Sequence, residues 1–261
     1  MKNLKIAIFS GAGLDRESGV LTFRDCVDGL WENHSIDEVA TPQGWKKDPK
    51  KVLDFYNARR QQMPTVVPND AHKIIAELEN EFSSVINVTQ NVSDLLERGG
   101  ATTVYHLHGE LTKARGEMNY GNVFQVKGEV FDIGYNDINI GDIAKDNGSQ
   151  LRPHIVWFSE YPFHIDESYD AITECDVLII VGTSLNIGYT HQMLASVNQK
   201  AKIYYVDPEP SKDLDDYGLD VDYIEESATV GMAIVKELIM AMDDVKVEEV
   251  KSDNEETKTE E

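Results

Sequence analysis

Most of the chemistry this sequence can do rests on a glycine pair, one histidine and one arginine. Gly11-Ala12-Gly13 directly follows an apolar run that ends at Phe9. Glycines at such a place let the backbone turn tightly and approach a pyrophosphate, whose charge backbone N–H groups can meet. The third glycine of a GxGxxG loop is absent, since Arg16 stands there, so a plain strand-to-helix turn is the rival reading. His108-Gly109 follows the run Val104–Leu107. An imidazole titrates near neutrality and can take a proton from a reacting hydroxyl, which makes His108 the candidate general base. His106 would point to the same strand face. An HxH metal pair is the alternative, but no cysteine or close carboxylate cluster in the sequence completes it, and a packed His106 is the plainer view. Tyr56 and Arg59 are spaced i, i+3 on a helical pattern. A guanidinium beside a phenol suits a carboxylate, and a solvated helix face is the bland reading. Asp207 ends a late apolar run, where a carboxylate can accept from ribose hydroxyls or simply cap the turn at Pro208.

These groups need a scaffold. Six short runs read as buried parallel strands: Leu4–Phe9, Val85–Val88, Val104–Leu107, His154–Phe158, Val177–Val181 and Ile203–Val206. They are continuous rather than alternating, as strands covered on both faces should be. Helical patterns over Asn69–Glu81, Ile165–Glu174, Thr190–Asn198 and Thr229–Met242 lie among them. Strand–helix alternation predicts an α/β, Rossmann-like doubly wound parallel sheet. Residues 1–24, 66–111 and 151–242 are assigned to it. Residues 25–65, mostly helical, and 112–150, glycine-rich with short strands and loops, leave the sheet and return. Together they predict a smaller second domain and a cleft between the two, where ligands bind on such folds.

Composition narrows the function classes. The formal charge of −23 over 261 residues disfavours nucleic acid and anionic membrane as partners, because phosphates would be repelled. Part of the charge lies in 243–261, which reads as a disordered acidic tail whose plain role is solvation. Two cysteines, Cys26 and Cys175, exclude by count a disulfide framework and a four-cysteine zinc site. No apolar run approaches the roughly 20 residues that span a bilayer. Met1–Phe9 reads as a strand rather than a leader, so the cytoplasm is the expected compartment, and a monomer the expected state.

Several motifs, in order, resemble those of the sirtuins. Gly11–Arg24 resembles GAG(I/L)SxxSGIPxFR, Thr89–Asp94 resembles TQNID, and His108-Gly109 resembles the catalytic HG. Arg152–Pro162 resembles RPxVVWFGE, and Gly182-Thr183-Ser184 resembles GTS. The resemblance spans about residues 6–210. It implies an NAD-dependent protein-lysine deacylase, in which nicotinamide leaves NAD, the acyl oxygen of a modified lysine captures the ribose carbon, and a base activates a ribose hydroxyl. By this carry-over His108 is the base, and Asn91 with Gln90 serves the ribose and the reaction water. Phe23 and Arg24 cover the nicotinamide side. Gly11, Ala12, Gly13, Ser93, Gly182, Thr183, Ser184 and Asp207 contact the cofactor, and Ile155, Val156 and Phe158 the acyl-lysine protein or peptide. Asp54–Arg60 resembles the Tyr-x-x-Arg element of desuccinylating members, and Asp28–Glu32 with Glu38–Pro42 resembles the bacterial ones. Tyr56 and Arg59 would then bind the distal carboxylate of succinyl-, malonyl- or glutaryl-lysine.

The pattern is broken at several places. Bacterial sirtuins usually carry four zinc cysteines between HG and RPH, whereas 112–150 has none, so no zinc is expected and that stretch must pack through residues such as Tyr120, Val123, Phe124, Val126, Val130 and Phe131. Ser93 replaces the Asp of TQNID, with Asp94 beside it. Leu21 replaces the signature proline, and Ser159 replaces the glycine of WFGE. Leu185-Asn186-Ile187-Gly188-Tyr189 departs from the usual run after GTS. An NAD hydrolase or ADP-ribosyltransferase, and a non-catalytic NAD or ADP-ribose sensor, therefore stand beside the deacylase.

Overall fold

Apolar runs without alternation need cover on two sides, and the chain supplies it. The computed structural model describes residues 2–20, 30–31, 34–117, 128–186 and 188–256, with backbone alone at 30–31 and 243–256. Phe23, Arg24, Cys26, Tyr120, Val123, Phe124 and Val126 lie outside these residues. The main sheet holds β1 (Lys2–Ser10), β4 (Phe82–Thr89), β5 (Val104–His106), β9 (Val177–Val181), β10 (Lys202–Val206) and β11 (Val221–Ile224), in the order β11-β10-β9-β1-β4-β5. Every pairing in it is parallel. The chain leaves β1 toward β4 on one side and β9 on the other. This is the Rossmann-like order, and it opens a crevice at the carboxyl end of β1.

Successive residues of each strand point to opposite faces. Ile6 and Ile8 pack with Ile179, Tyr204 and Val206 against α5 (Asp70–Glu81) and α9 (Ala228–Glu256), through Ile75, Leu78, Met232, Val235 and Ile239. Ala7 and Phe9 pack with Leu178, Ile180 and Tyr205 against α7 (Ile165–Glu174) and α8 (Gly188–Ala195), through Ile172, Met193 and Leu194. Asn69 caps α5 by accepting from the Ala71 and His72 N–H groups. Helix α9 continues to Glu256, so the acidic segment expected to be disordered is helical over 243–256. A helix nucleated by packing is extended by Glu, Lys and Asp at small cost per residue.

The run His154–Phe158 is not a strand of this sheet. Residues Leu151–Ile155 form β8, which pairs antiparallel with β6 (Gly109–Gly116) in a separate sheet completed by β7 (Val130–Asp132). The sixth main strand is instead β11, whose mixed run Val-Asp-Tyr-Ile carries a weaker apolar signal because it lies at the sheet edge. Gly109 makes the small sheet possible. Its φ is +84°, and a Cβ there would lie 2.0 Å from the His154 carbonyl oxygen.

A second core joins both insertions. Trp45 of α3 (Pro42–Lys47) and Val52, Leu53, Phe55 and Tyr56 of α4 (Pro49–Gln62) pack with Leu111, Ala114, Ile138, Ile155 and Trp157. The indoles of Trp45 and Trp157 lie 5.6 Å apart, and the Arg152 guanidinium covers Trp157 at 3.2 Å from its ring centroid. Arg152 and Arg115, both buried, share the Glu160 carboxylate, at 2.7 Å from Arg152 and 3.3 Å from Arg115. Helix α4 also reaches across with polar groups. Asn57 Nδ2 donates to the Ile138 carbonyl at 2.9 Å and its Oδ1 accepts from the Ile138 N–H at 3.0 Å. Arg60, fully buried, donates from Nε to the Leu111 carbonyl at 2.6 Å and from a terminal nitrogen to Asn57 Oδ1 at 2.7 Å. Burial holds its pKa down at about 10, still high enough to keep the cation at neutral pH.

Two outcomes are expected. Asn57→Ala orphans both Ile138 backbone groups and lowers unfolding free energy by about 2–3 kcal/mol in denaturant titration. His154, stacked on Phe163 at 4.5 Å, has its pKa pushed down to about 3, by burial first and then by Arg115, Lys113 and Arg152. The folded state therefore binds fewer protons than the unfolded state below the ordinary histidine pKa. The stabilising share of this neutral ring is intact above about pH 6.5 and is lost as pH falls toward 3. His154→Phe keeps the stack and removes the titration, so its thermal midpoint falls less steeply than the parent's between pH 6.5 and 4.

Candidate active site

The crevice is built by backbone packed on backbone. The Gly11 and Gly13 N–H groups donate to the Val181 and Gly182 carbonyls at 3.0 and 2.7 Å. A Cβ on Gly13 would lie 2.6 Å from Gly182 Cα, and Gly182, with φ +63°, would place its own 2.3 Å from the Leu14 nitrogen. The glycines thus lock the β1 loop onto the end of β9. The two N–H groups expected to face a pyrophosphate are engaged with the sheet edge instead. The loop turns straight into α1 (Gly13–Arg16), which carries the buried Asp15.

Asn91 follows β4 and is nearly buried. Its N–H donates to Thr89 Oγ1 at 3.1 Å, and its amide nitrogen donates to the Gly11 carbonyl at 3.0 Å and to Asp15 Oδ1 at 2.9 Å. Ser93, also buried, donates to Asp15 Oδ2 at 2.6 Å. The His106 ring bonds the Asn91 carbonyl through Nδ1 and Glu97 through Nε2, both at 2.8 Å. Burial opposes charge on His106, but the Glu97 carboxylate outweighs it and the pKa is raised. Glu97, His106 and Glu110 gather their ligand atoms within 4.8 Å, a carboxylate cluster that sequence spacing did not reveal. With both ring nitrogens engaged, His106 is the packed histidine of the plainer reading.

His108 leaves the end of β5. Its Nε2 lies 2.7 Å from the Tyr189 hydroxyl of α8, and its carbonyl accepts from the Val156 N–H at 2.8 Å. Burial pushes its pKa down to about 4, and a hydrogen bond to the Gln90 backbone opposes that. The ring is therefore neutral at physiological pH, with Nε2 the acceptor for an O–H. Burial also raises the Tyr189 pKa, so its hydroxyl stays a donor. Gln90 Oε1 accepts from Thr183 Oγ1 at 3.0 Å. One polar string thus links β4, β5, β9 and α8. Tyr189 belongs to the run after GTS that departs from the family pattern, and the sequence gave no signal of its role.

Tyr56 and Arg59 are buried, not solvated. The Trp157 indole N–H donates to the Tyr56 hydroxyl at 3.2 Å, and the Arg59 guanidinium lies 5.5 Å from the Phe55 ring centroid. Burial raises the Tyr56 pKa to about 12. The segment Val156-Trp157 therefore touches His108 through one residue and Tyr56 through the next. Ile155 is part of the second core, Val156 is half-buried and Phe158 is exposed. Ser159 has φ +74°, a backbone that glycine adopts more readily. Asp207 accepts from the Glu209 N–H at 2.9 Å, the turn role, at the carboxyl end of β10. Ser184 is half-buried beside Thr183. Residues 112–150 contain no cysteine.

A model described as the Sir2 family matches residues 11–188. The NAD-dependent protein deacylase of Helicobacter pylori is 49% identical over 208 residues, 80% of this chain and 85% of that protein. The protein of the same name from Bacteroides thetaiotaomicron is 39% identical over 243 residues, 92% of this chain and 99% of its own length. Among solved structures, a Sir2 homologue in complex with NAD is 30% identical, with a TM-score of 0.77 over 92% of this chain and 90% of that one. The parallel sheet, the glycine-built crevice at its carboxyl edge and these likenesses lead to one conclusion: the chain belongs to the Sir2 family.

Proposed function

We propose that the chain is an NAD-dependent protein-lysine deacylase that favours acyl groups ending in a carboxylate, and that its smaller core is held by packing and buried hydrogen bonds rather than by zinc. The observation that carries the reading is the segment Val156-Trp157, which ties the neutral His108 to the buried Tyr56 and its neighbour Arg59. The loop of Gly11 and Gly13 is packed so closely on Gly182 that a side chain on any of the three would collide with backbone, which places the crevice at the carboxyl end of β1, where nucleotides bind on such folds. When bound, NAD would supply an electrophilic ribose carbon for the acyl oxygen, with nicotinamide as the leaving group. His108 Nε2 accepts the proton of a ribose hydroxyl, and the Gln90 backbone holds the ring in place. Asn91, Gln90 and Thr183 line the ribose side, and Ser184 and Asp207 the adenosine side. Tyr56 stays protonated and donates to the distal acyl carboxylate, while the Arg59 cation balances its charge in a dry site.

Nicotinamide release from NAD tests the reading. Release that requires a succinyl-lysine peptide is expected, whereas release without peptide would indicate an NAD hydrolase and sink it. Arg59→Met removes charged hydrogen bonds of about 2 kcal/mol, so kcat/KM on succinyl peptide falls ~30-fold while acetyl peptide is little affected. An unchanged preference would exclude the carboxylate role. His108→Asn lowers kcat by roughly 100-fold or more while ADP-ribose binding, followed by calorimetry, persists.

A further inference from the structure

The sequence motifs place two departures on one hydrogen bond. The family signature has Ser where this chain has Asp15, and TQNID has Asp where it has Ser93. In the fold those two side chains meet, with Ser93 Oγ donating to Asp15 Oδ2 at 2.6 Å. Carboxylate and hydroxyl have changed places across one contact.

The Asp15 carboxylate is 4% exposed and does more than hold Ser93. His72, fully buried on α5, approaches Asp15 Oδ1 through Nε2 at 3.1 Å. Its Nδ1 accepts from the Asn69 N–H at 3.2 Å, so Nε2 carries a proton and donates to Asp15. Asp15 Oδ1 also receives the Asn91 amide nitrogen, whose other acceptor is the Gly11 carbonyl. Two acceptors at one end of the Asn91 amide fix which end is NH2. The end left for a ligand is Oδ1, which can meet only a donor such as a hydroxyl or a water. With Ser or Ala at 15 and Ser at 93, no carboxylate would hold that orientation.

We propose that Asp15 is a positioning residue of this site: its carboxylate, transposed across the bond with Ser93, orients the Asn91 amide so that Oδ1 faces the ribose hydroxyls of the bound nucleotide. The proposal rests on the nucleotide-binding reading above. The hydrogen bond between these two places needs one carboxylate and one hydroxyl, in either order, and a carboxylate on that bond is what orients the Asn91 amide.

The test is a cycle of Asp15→Ser, Ser93→Asp and the double exchange, read as kcat on acyl peptide, KM for NAD and ADP-ribose affinity by calorimetry. Each single exchange lowers kcat at least ~30-fold, because two hydroxyls or two carboxylates then face each other. The double exchange restores kcat to within about tenfold of the parent. A double variant as slow as the product of the singles overturns the proposal. If a single exchange does not unfold cooperatively, Ser93→Ala and Ser93→Thr replace it. Ser93→Ala loses roughly tenfold in kcat at an unchanged thermal midpoint and Ser93→Thr recovers it, whereas equal activity in both overturns the proposal. Should the parent release no nicotinamide, the deacylase reading fails on its own. The cycle read on ADP-ribose affinity still decides, with restored affinity in the double variant supporting the pairing and additive losses refuting it.

Discussion

The whole site depends on how closely two pieces of backbone can approach. Gly13 lies against Gly182, and no side chain fits between them. That contact ties the loop after β1 to the end of β9, the two strands between which the sheet order changes direction. It fixes the first turn of α1, and with it Asp15. Asp15 in turn sets the Asn91 amide, and the Asn91 carbonyl holds His106. A methyl group added at Gly13 would displace not one contact but a string of them, because each link takes its position from the one before.

The electrostatics of the crevice follow from what is dry and what is paired. His106 and His108 lie two residues apart and are shifted in opposite directions. His106 faces Glu97 and is drawn toward the charged form; His108 faces a phenol and a backbone group and is driven toward the neutral one. The same side chain is thus shifted in opposite directions at two positions two residues apart, by its surroundings alone. The overall charge of −23 has little part in this. Several buried charged groups have partners, Asp15 in His72 and Arg115 and Arg152 in Glu160.

The smaller core shows how a lobe can hold together around polar groups as well as apolar ones. Tyr56, Trp157 and Trp45 fill it, while Asn57, Arg60, Arg115, Arg152 and Glu160 satisfy backbone and one another inside it. Removing one member of such a set leaves the others buried and unsatisfied, so it is rigid rather than merely stable. That rigidity bears on the site, because Val156-Trp157 crosses from this core to His108.

By itself the sequence determined the sheet and most of its strands, the helical patterns over Asn69–Glu81 and Ile165–Glu174 to within a residue, and the positions of His108, Asn91 and the glycines. Those signals are local: a buried parallel strand is apolar in every residue, and a motif keeps its spacing whatever surrounds it. Three things waited for the tertiary structure. His154–Phe158 reads as a buried parallel strand, yet Ile155 and Trp157 serve the second core and Phe158 is exposed, since hydrophobicity does not say against what a run packs. Whether Tyr56 and Arg59 lie on a solvated helix face or in a site stayed open in the sequence, because burial of a cation depends on partners far along the chain. The contact between Ser93 and Asp15 is the clearest case. Each residue alone looks like damage to a motif, and only the fold, which brings positions 15 and 93 within one hydrogen bond, makes them a pair.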